Sequence, residues 1–223
     1  MAHQTYAVAR PAETALVTNK LIRNTYMLLS MTLLFSAVTA GISIAINMPY
    51  MGALITLGGY FGLLFLTSYL RNSAWGLLSV FALTGFMGLT LGPLINAYLQ
   101  TFANGGQLVM LALGGTGAIF LGLSAYALTT RKDFSFLGGY VFVGILVAFL
   151  AGIGALIFSL PALSLAVSTV FIMLMSAFIL YQTSEMIHGG ETNYIMATVA
   201  LYVSIYNLFT SLLHLLGAFA GED

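Results

Sequence analysis

The chain has 223 residues, 60% of them hydrophobic and only 5% charged, and its six basic and six acidic side chains cancel. A water-soluble domain carries about 25% charged residues, so no aqueous fold covers this composition and its solvent is lipid. The balance leaves no basic field for nucleic acid, and the absence of cysteine excludes disulfides, thiol catalysis and Cys-ligated metal sites.

Residues 1–23 are polar and carry Arg10, Glu13, Lys20 and Arg23. A cleaved signal peptide places its apolar core nearer the start, so this segment reads as an uncleaved tail. Charge-free runs then locate the spans. The first covers 25–46 and ends at Asn47-Met48-Pro49-Tyr50; the second covers 51–70 and ends at Arg71. The third, 74–99, is separated from the fourth, 107–129, by the polar and glycine-containing stretch from Gln100 to Gly106. After Arg131-Lys132-Asp133 come spans at 137–158 and 163–187, divided by the weaker break Ser159-Leu160-Pro161, and the last lies at 195–218. Each has about 20 residues or more, enough for a hydrocarbon core of about 30 Å. Only helices satisfy every backbone group within one lipid-exposed segment. The expected fold is therefore an all-α membrane protein of seven transmembrane helices. A tail at 1–23 precedes the bundle at 24–218, and a short acidic tail at 219–223 follows it.

Orientation follows from the basic residues. Arg10, Lys20 and Arg23 precede span one, Arg71 follows span two, and Arg131 and Lys132 follow span four. With seven spans all six fall on one side, which the positive-inside rule makes cytoplasmic. Glu222-Asp223 then lies outside. The pairs Gly58-xxx-Gly62 and Gly88-xxx-Gly92 let helices approach closely and are expected to pack inside the bundle. Pro93 deprives span three of one hydrogen bond and is expected to kink it.

Polar residues within the spans carry what chemistry there is. On span seven, Ser204, Asn207, Ser211 and His214 form one stripe with Thr210 beside it. In lipid such a stripe turns toward protein or water. It serves either as a polar path or as helix-packing hydrogen bonds worth about 0.6 kcal/mol each. His214 has a side chain that titrates near neutrality but sits close to the outer end. Glu185, His188 and Glu191 share the turn between spans six and seven. Their spacing suggests a metal site, but Gly189-Gly190 breaks the helix before Glu191, so a solvated turn is the simpler reading. Gly122-Leu123-Ser124-Ala125 is weakly similar to an intramembrane serine protease motif. Ser124 and His214 differ in depth by roughly 20 Å at about 1.5 Å per residue, whereas a Ser–His pair needs about 3 Å. No catalytic group, cofactor or metal is expected.

Four segments together resemble the Bax inhibitor-1 family, over about residues 19–217. They are Asn19-Lys20-Leu21-Ile22-Arg23-Asn24-Thr25-Tyr26, Phe86-Met87-Gly88-Leu89-Thr90-Leu91-Gly92-Pro93, the run from Tyr126 to Gly138, and His188-Gly189-Gly190-Glu191-Thr192-Asn193-Tyr194. The last resembles a bacterial inner-membrane subgroup. The resemblance implies six helices around a central seventh. For the subgroup it implies a non-enzymatic regulator that binds and modulates FtsH, a membrane-anchored AAA protease, which engages the cytoplasmic N-terminal tail. Other members are implied to be pH-dependent calcium leak channels, sensing protons through two aspartates on the last two helices. Those positions fall here on Gln182 and Ser204. A carboxylate pair shares a proton and titrates as a unit, and it offers calcium hard, charged ligands. Gln182 and Ser204 do neither, though they are able to hydrogen-bond each other. The pH-influenced cation leak is therefore the alternative, with Asn207 and His214 as its residues.

Overall fold

The structure, a computed structural model, describes residues 11–221, with side chains from Leu16 onward. Residues 1–10 of the N-terminal tail, with Arg10, and the terminal Glu222-Asp223 lie outside the described residues. Seven helices follow in order: α1 (Pro11–Ala45), α2 (Ala53–Leu70), α3 (Trp75–Thr101), α4 (Gly105–Thr130), α5 (Leu137–Ile157), α6 (Pro161–His188) and α7 (Tyr194–Ala220). All seven contain a stretch long and apolar enough to cross a membrane.

Each break has a local cause. Asn47 and Ser159 take φ of 50°, and Arg131 takes 49°, ending helices with a left-handed residue. The Ser159 turn makes the Pro161 division real, and Pro161 opens α6, where its missing N–H costs nothing. Gly189 ends α6 at φ 84°, so Glu191 leaves the helical face as the sequence suggested. One boundary differs from expectation. Residues 11–23 belong to α1, because nothing between Pro11 and Asn47 breaks a helix and isolated polar residues extend one at little cost.

The interior is shared by α3 and α7, the most buried spans; α2 is the least buried. α7 packs against α1, α3, α4 and α6, while α2 lies on α3 and α5 on α6. Leu83 and Val80 of α3 meet Ile179 and Met186 of α6 and Leu201 and Leu208 of α7 in one buried cluster.

The tightest seam joins α1 to α3. A Cβ at Gly88 would collide with Thr39 and Ser36, and one at Gly92 with Ser43. Only glycine lets the backbones approach so closely. Pro93 runs inside α3 and supplies no N–H to the carbonyl four residues back, Leu89. Ser43 Oγ of α1 donates to that carbonyl at 2.8 Å instead. The partner helix thus satisfies the group that proline frees, and α3 continues unbroken to Thr101. Gly58 and Gly62 behave otherwise. Both are exposed on α2, with nothing within 4 Å of where a Cβ would stand, so the internal packing expected of them does not occur.

The loops at one end are tied together. Asn193 accepts from the Ile195 and Met196 amides as the cap of α7. Its Nδ2 donates to the Arg71 carbonyl and to Asn72, joining the turn before α7 to the loop after α2. At the other end Asn96 donates to Asn47 at 3.3 Å.

Candidate functional site

α7 carries the stripe, and its hydroxyls and amide turn mostly onto their own helix. Ser204 Oγ donates to the Ala200 carbonyl at 2.9 Å, Asn207 Nδ2 to Val203 at 2.8 Å, and Thr210 Oγ1 to Tyr206 at 3.1 Å. In lipid this back-bonding hides a polar group without a partner helix. Ser204 and Ser211 are buried; Asn207, Thr210 and His214 are partly exposed. One stripe residue reaches a neighbour: His214 Nδ1 lies 2.8 Å from Ser168 Oγ on α6. Ser168 also donates to the Ser164 carbonyl at 3.1 Å. Ser124, by contrast, is buried on α4 with an unpartnered hydroxyl.

Two tyrosines that the stripe did not include make further interhelical polar contacts. Tyr202 Oη shares a hydrogen bond with Ser36 Oγ of α1 at 2.6 Å and donates to the Thr84 carbonyl of α3 at 3.2 Å. Tyr206 Oη lies 3.1 Å from Thr90 Oγ1 of α3. The signal was present as tyrosines one turn apart on the stripe helix, since a buried phenol seeks a partner. Gln182 and Ser204 are both buried; among the described residues no hydrogen bond joins them, and Ser204 is bonded to Ala200.

At the turn after α6, Glu191 Oε1 accepts from the Thr192 and Asn193 amides at 2.8 and 2.7 Å. His188 Nδ1 lies 2.9 Å from the Ser184 carbonyl. Among the described residues no three His, Asp or Glu side chains converge as a metal site. Nearby, Ser184 Oγ accepts from the Phe134 amide at 2.9 Å and lies 3.4 Å from the Lys132 carbonyl. Asp133 Oδ1 accepts from the Ser135 amide at 2.8 Å, which holds that carboxyl below its ordinary range.

Two cavities flank α7. One, of about 450 Å³, lies among α2, α3, α5, α6 and α7; the other, of about 330 Å³, lies among α1, α3, α4 and α7. Tyr206 lines both, and neither is lined by a charged side chain.

The family model described as "Inhibitor of apoptosis-promoting Bax1" matches residues 18–221. This is a Bax inhibitor-1 family protein. It is 53% identical to the "Modulator of FtsH protease YccA" of Escherichia coli K12, over 93% of this chain and 94% of that one. An uncharacterized protein of Pseudomonas aeruginosa is 54% identical over 91% of this chain and 90% of its own. An uncharacterized membrane protein of Vibrio cholerae is 43% identical over 95% of each. The inner-membrane name of one such relative and the seven apolar helices make this a multi-pass inner-membrane protein. The segments that carried the Bax inhibitor-1 resemblance are packing devices here. Thr25 gives its carbonyl to Thr198 of α7. Gly88, Gly92 and Pro93 build the α1–α3 seam. Gly138 makes room for the Tyr181 ring, and Glu191 and Asn193 cap and tie α7.

Proposed function

We propose that this chain is a non-enzymatic regulator of membrane protein quality control that binds and modulates FtsH. The observation that carries the reading is 53% identity, over 93% of the chain, to a protein named as a modulator of that protease. The end bearing Arg71, Arg131 and Lys132 faces the cytoplasm under the positive-inside rule, placing the N-terminus inside and the C-terminus outside. In this reading α7, which shares the interior with α3, is the central helix. Four helices touch it directly, and α2 and α5 complete the ring of six through α3 and α6. Residues 1–20 serve as the cytoplasmic handle for the protease.

The bundle suits a binding role better than catalysis or calcium conduction. On α7, Ser204, Asn207 and Thr210 are bonded to their own helix and Tyr202 and Tyr206 to α1 and α3, which stabilises one packing. Neither cavity offers a carboxylate, and Gln182 and Ser204 supply no charge for a calcium ion. Ser168 and His214 have no carboxylate orienting the imidazole among the contacts of the described residues, unlike a working triad.

The test is co-purification from native membranes in mild detergent, comparing the full chain with one lacking residues 2–10, which keeps every described residue of α1. FtsH should be enriched well above an unrelated seven-span control, and the truncation should weaken the capture. Enrichment no greater than the control would overturn the reading.

A further inference from the structure

The cavity between α2 and α5 has the construction of a ligand site. α2 lies on α3 and α5 on α6, and the two outer helices meet across the gap through Phe61 and Phe149, edge to face at 6.0 Å. Gly59 lets the Phe86 ring lie against α2, and Gly144 lets Leu174 lie against α5. Each outer helix is thereby drawn to its own neighbour, and about 450 Å³ remains between the pairs. That is within the range of small-molecule sites, roughly 300–1,000 Å³.

The lining sets the ligand's chemistry. Its walls are apolar and largely aromatic, and no charged side chain lines it. An ionic headgroup therefore has no counter-charge there. The polar side chains in its lining include Asn207, Tyr206, Tyr60 and Thr90. Tyr206 and Thr90 bond each other. Asn207 gives one N–H to Val203, leaving the rest of its carboxamide for an occupant. Thr56, in the same wall, has a buried hydroxyl without a partner. Buried polar groups of this kind normally find partners.

Depth narrows the choice further. Asn207 lies midway along α7, about 20 Å from either end at about 1.5 Å per residue. A phospholipid's ester groups stay near the interface, about 15 Å from the centre of a core about 30 Å thick. They do not reach Asn207 without drawing a charged headgroup into hydrocarbon. A lipid without an ionic headgroup is free to do so.

We propose that this cavity binds an uncharged, carbonyl-bearing lipid, with its head hydrogen-bonded at Asn207 near the membrane midplane and its apolar tail against the phenylalanine walls. The chemistry is shared by isoprenoid quinones and diacylglycerols. The site does not depend on the protease reading.

The test uses the full chain purified in mild detergent, with decylubiquinone, dioctanoylglycerol and a short-chain phosphatidylethanolamine as probes, read by thermal stability and by native mass spectrometry. One of the two neutral probes should raise the unfolding temperature and remain bound one to one; which of them does so identifies the source. Two variants act differently: Asn207→Leu removes the head contact, and Leu146→Trp fills the mouth from the exposed side of α5. Each should weaken neutral-probe binding at least tenfold, and because Leu146 lies at the lipid-facing mouth, Leu146→Trp should keep the unliganded unfolding temperature. Binding of the phospholipid as tight as that of the neutral probes would overturn the proposal. So would binding unchanged in both variants, or no binding by any probe.

Discussion

Replacing Ser43 with alanine tests how this bundle tolerates a proline in the middle of a buried helix. Ser43 is fully buried on α1, and its Oγ lies 2.8 Å from the Leu89 carbonyl, the group that Pro93 cannot satisfy. Interhelical hydrogen bonds in membranes average about 0.6 kcal/mol and reach about 1.7. A buried carbonyl left without a donor costs about 1–3 kcal/mol. The ranges overlap at about 1–2 kcal/mol, which is the expected destabilisation by Ser43→Ala. Pro93→Ala restores a backbone N–H to the same carbonyl. In that background Ser43→Ala should cost about 0.5 kcal/mol or less, giving a coupling energy of about 1 kcal/mol, within the range found for contacting residues. The assay is reversible unfolding in mixed detergent, followed by circular dichroism, for the wild type, both single variants and the double variant. An equal cost of Ser43→Ala in both backgrounds would refute the compensation.

The glycines separate just as sharply. Gly92→Ala drives a methyl into Ser43 and should destabilise by about 1–3 kcal/mol, whereas Gly58→Ala and Gly62→Ala meet open space and should be neutral or stabilising by up to about 1 kcal/mol; the same unfolding assay ranks them. Tyr202→Phe removes the phenol that holds Ser36 and the Thr84 carbonyl and should cost about 1–2 kcal/mol, with no loss if those groups find other partners. Asn193→Ala uncaps α7 and should cost about 1 kcal/mol, with faster hydrogen exchange at the Ile195 and Met196 amides. Asp133 ionises below its ordinary value of 3.8 because the Ser135 amide bonds the charged form. A depressed folded pKa gives an increment that is present above the unfolded value and lost as pH falls through the folded one. Protection of the Ser135 amide should therefore fade on acidification through that window, and Asp133→Asn should remove the pH dependence.

The helices were legible because lipid makes charge a punctuation mark. Arg71 and Arg131-Lys132-Asp133 stand where spans end, and Asn47 and Ser159 take the left-handed turns that finish α1 and α5. The N-terminal extent of α1 was not legible, since polarity ended the first span in sequence while residues 11–23 are helical. Inside and outside were hardest to tell apart. Lipid-facing and protein-facing surfaces are equally apolar, so Gly58 and Gly62 carried the same pattern as Gly88 and Gly92 while facing the opposite way. The stripe on α7 was visible as spacing, yet whether Asn207 turned to its own carbonyls or to a neighbour depended on packing. His214 found its partner in Ser168 rather than Ser124, because α4 and α6 both run antiparallel to α7 but Ser168 lies near the start of α6, at the depth of His214 near the end of α7, while Ser124 lies near the far end of α4.

The most direct measurement is proteolysis in reconstituted liposomes. FtsH would be supplied with a membrane-protein substrate, and turnover followed as this chain is added from substoichiometric to excess. A chain held by the protease through its own tail occupies the site other substrates need. Turnover should therefore slow in proportion to the amount added, and a chain lacking residues 2–10 should slow it less. A substrate half-life unchanged across the whole range would contradict the account.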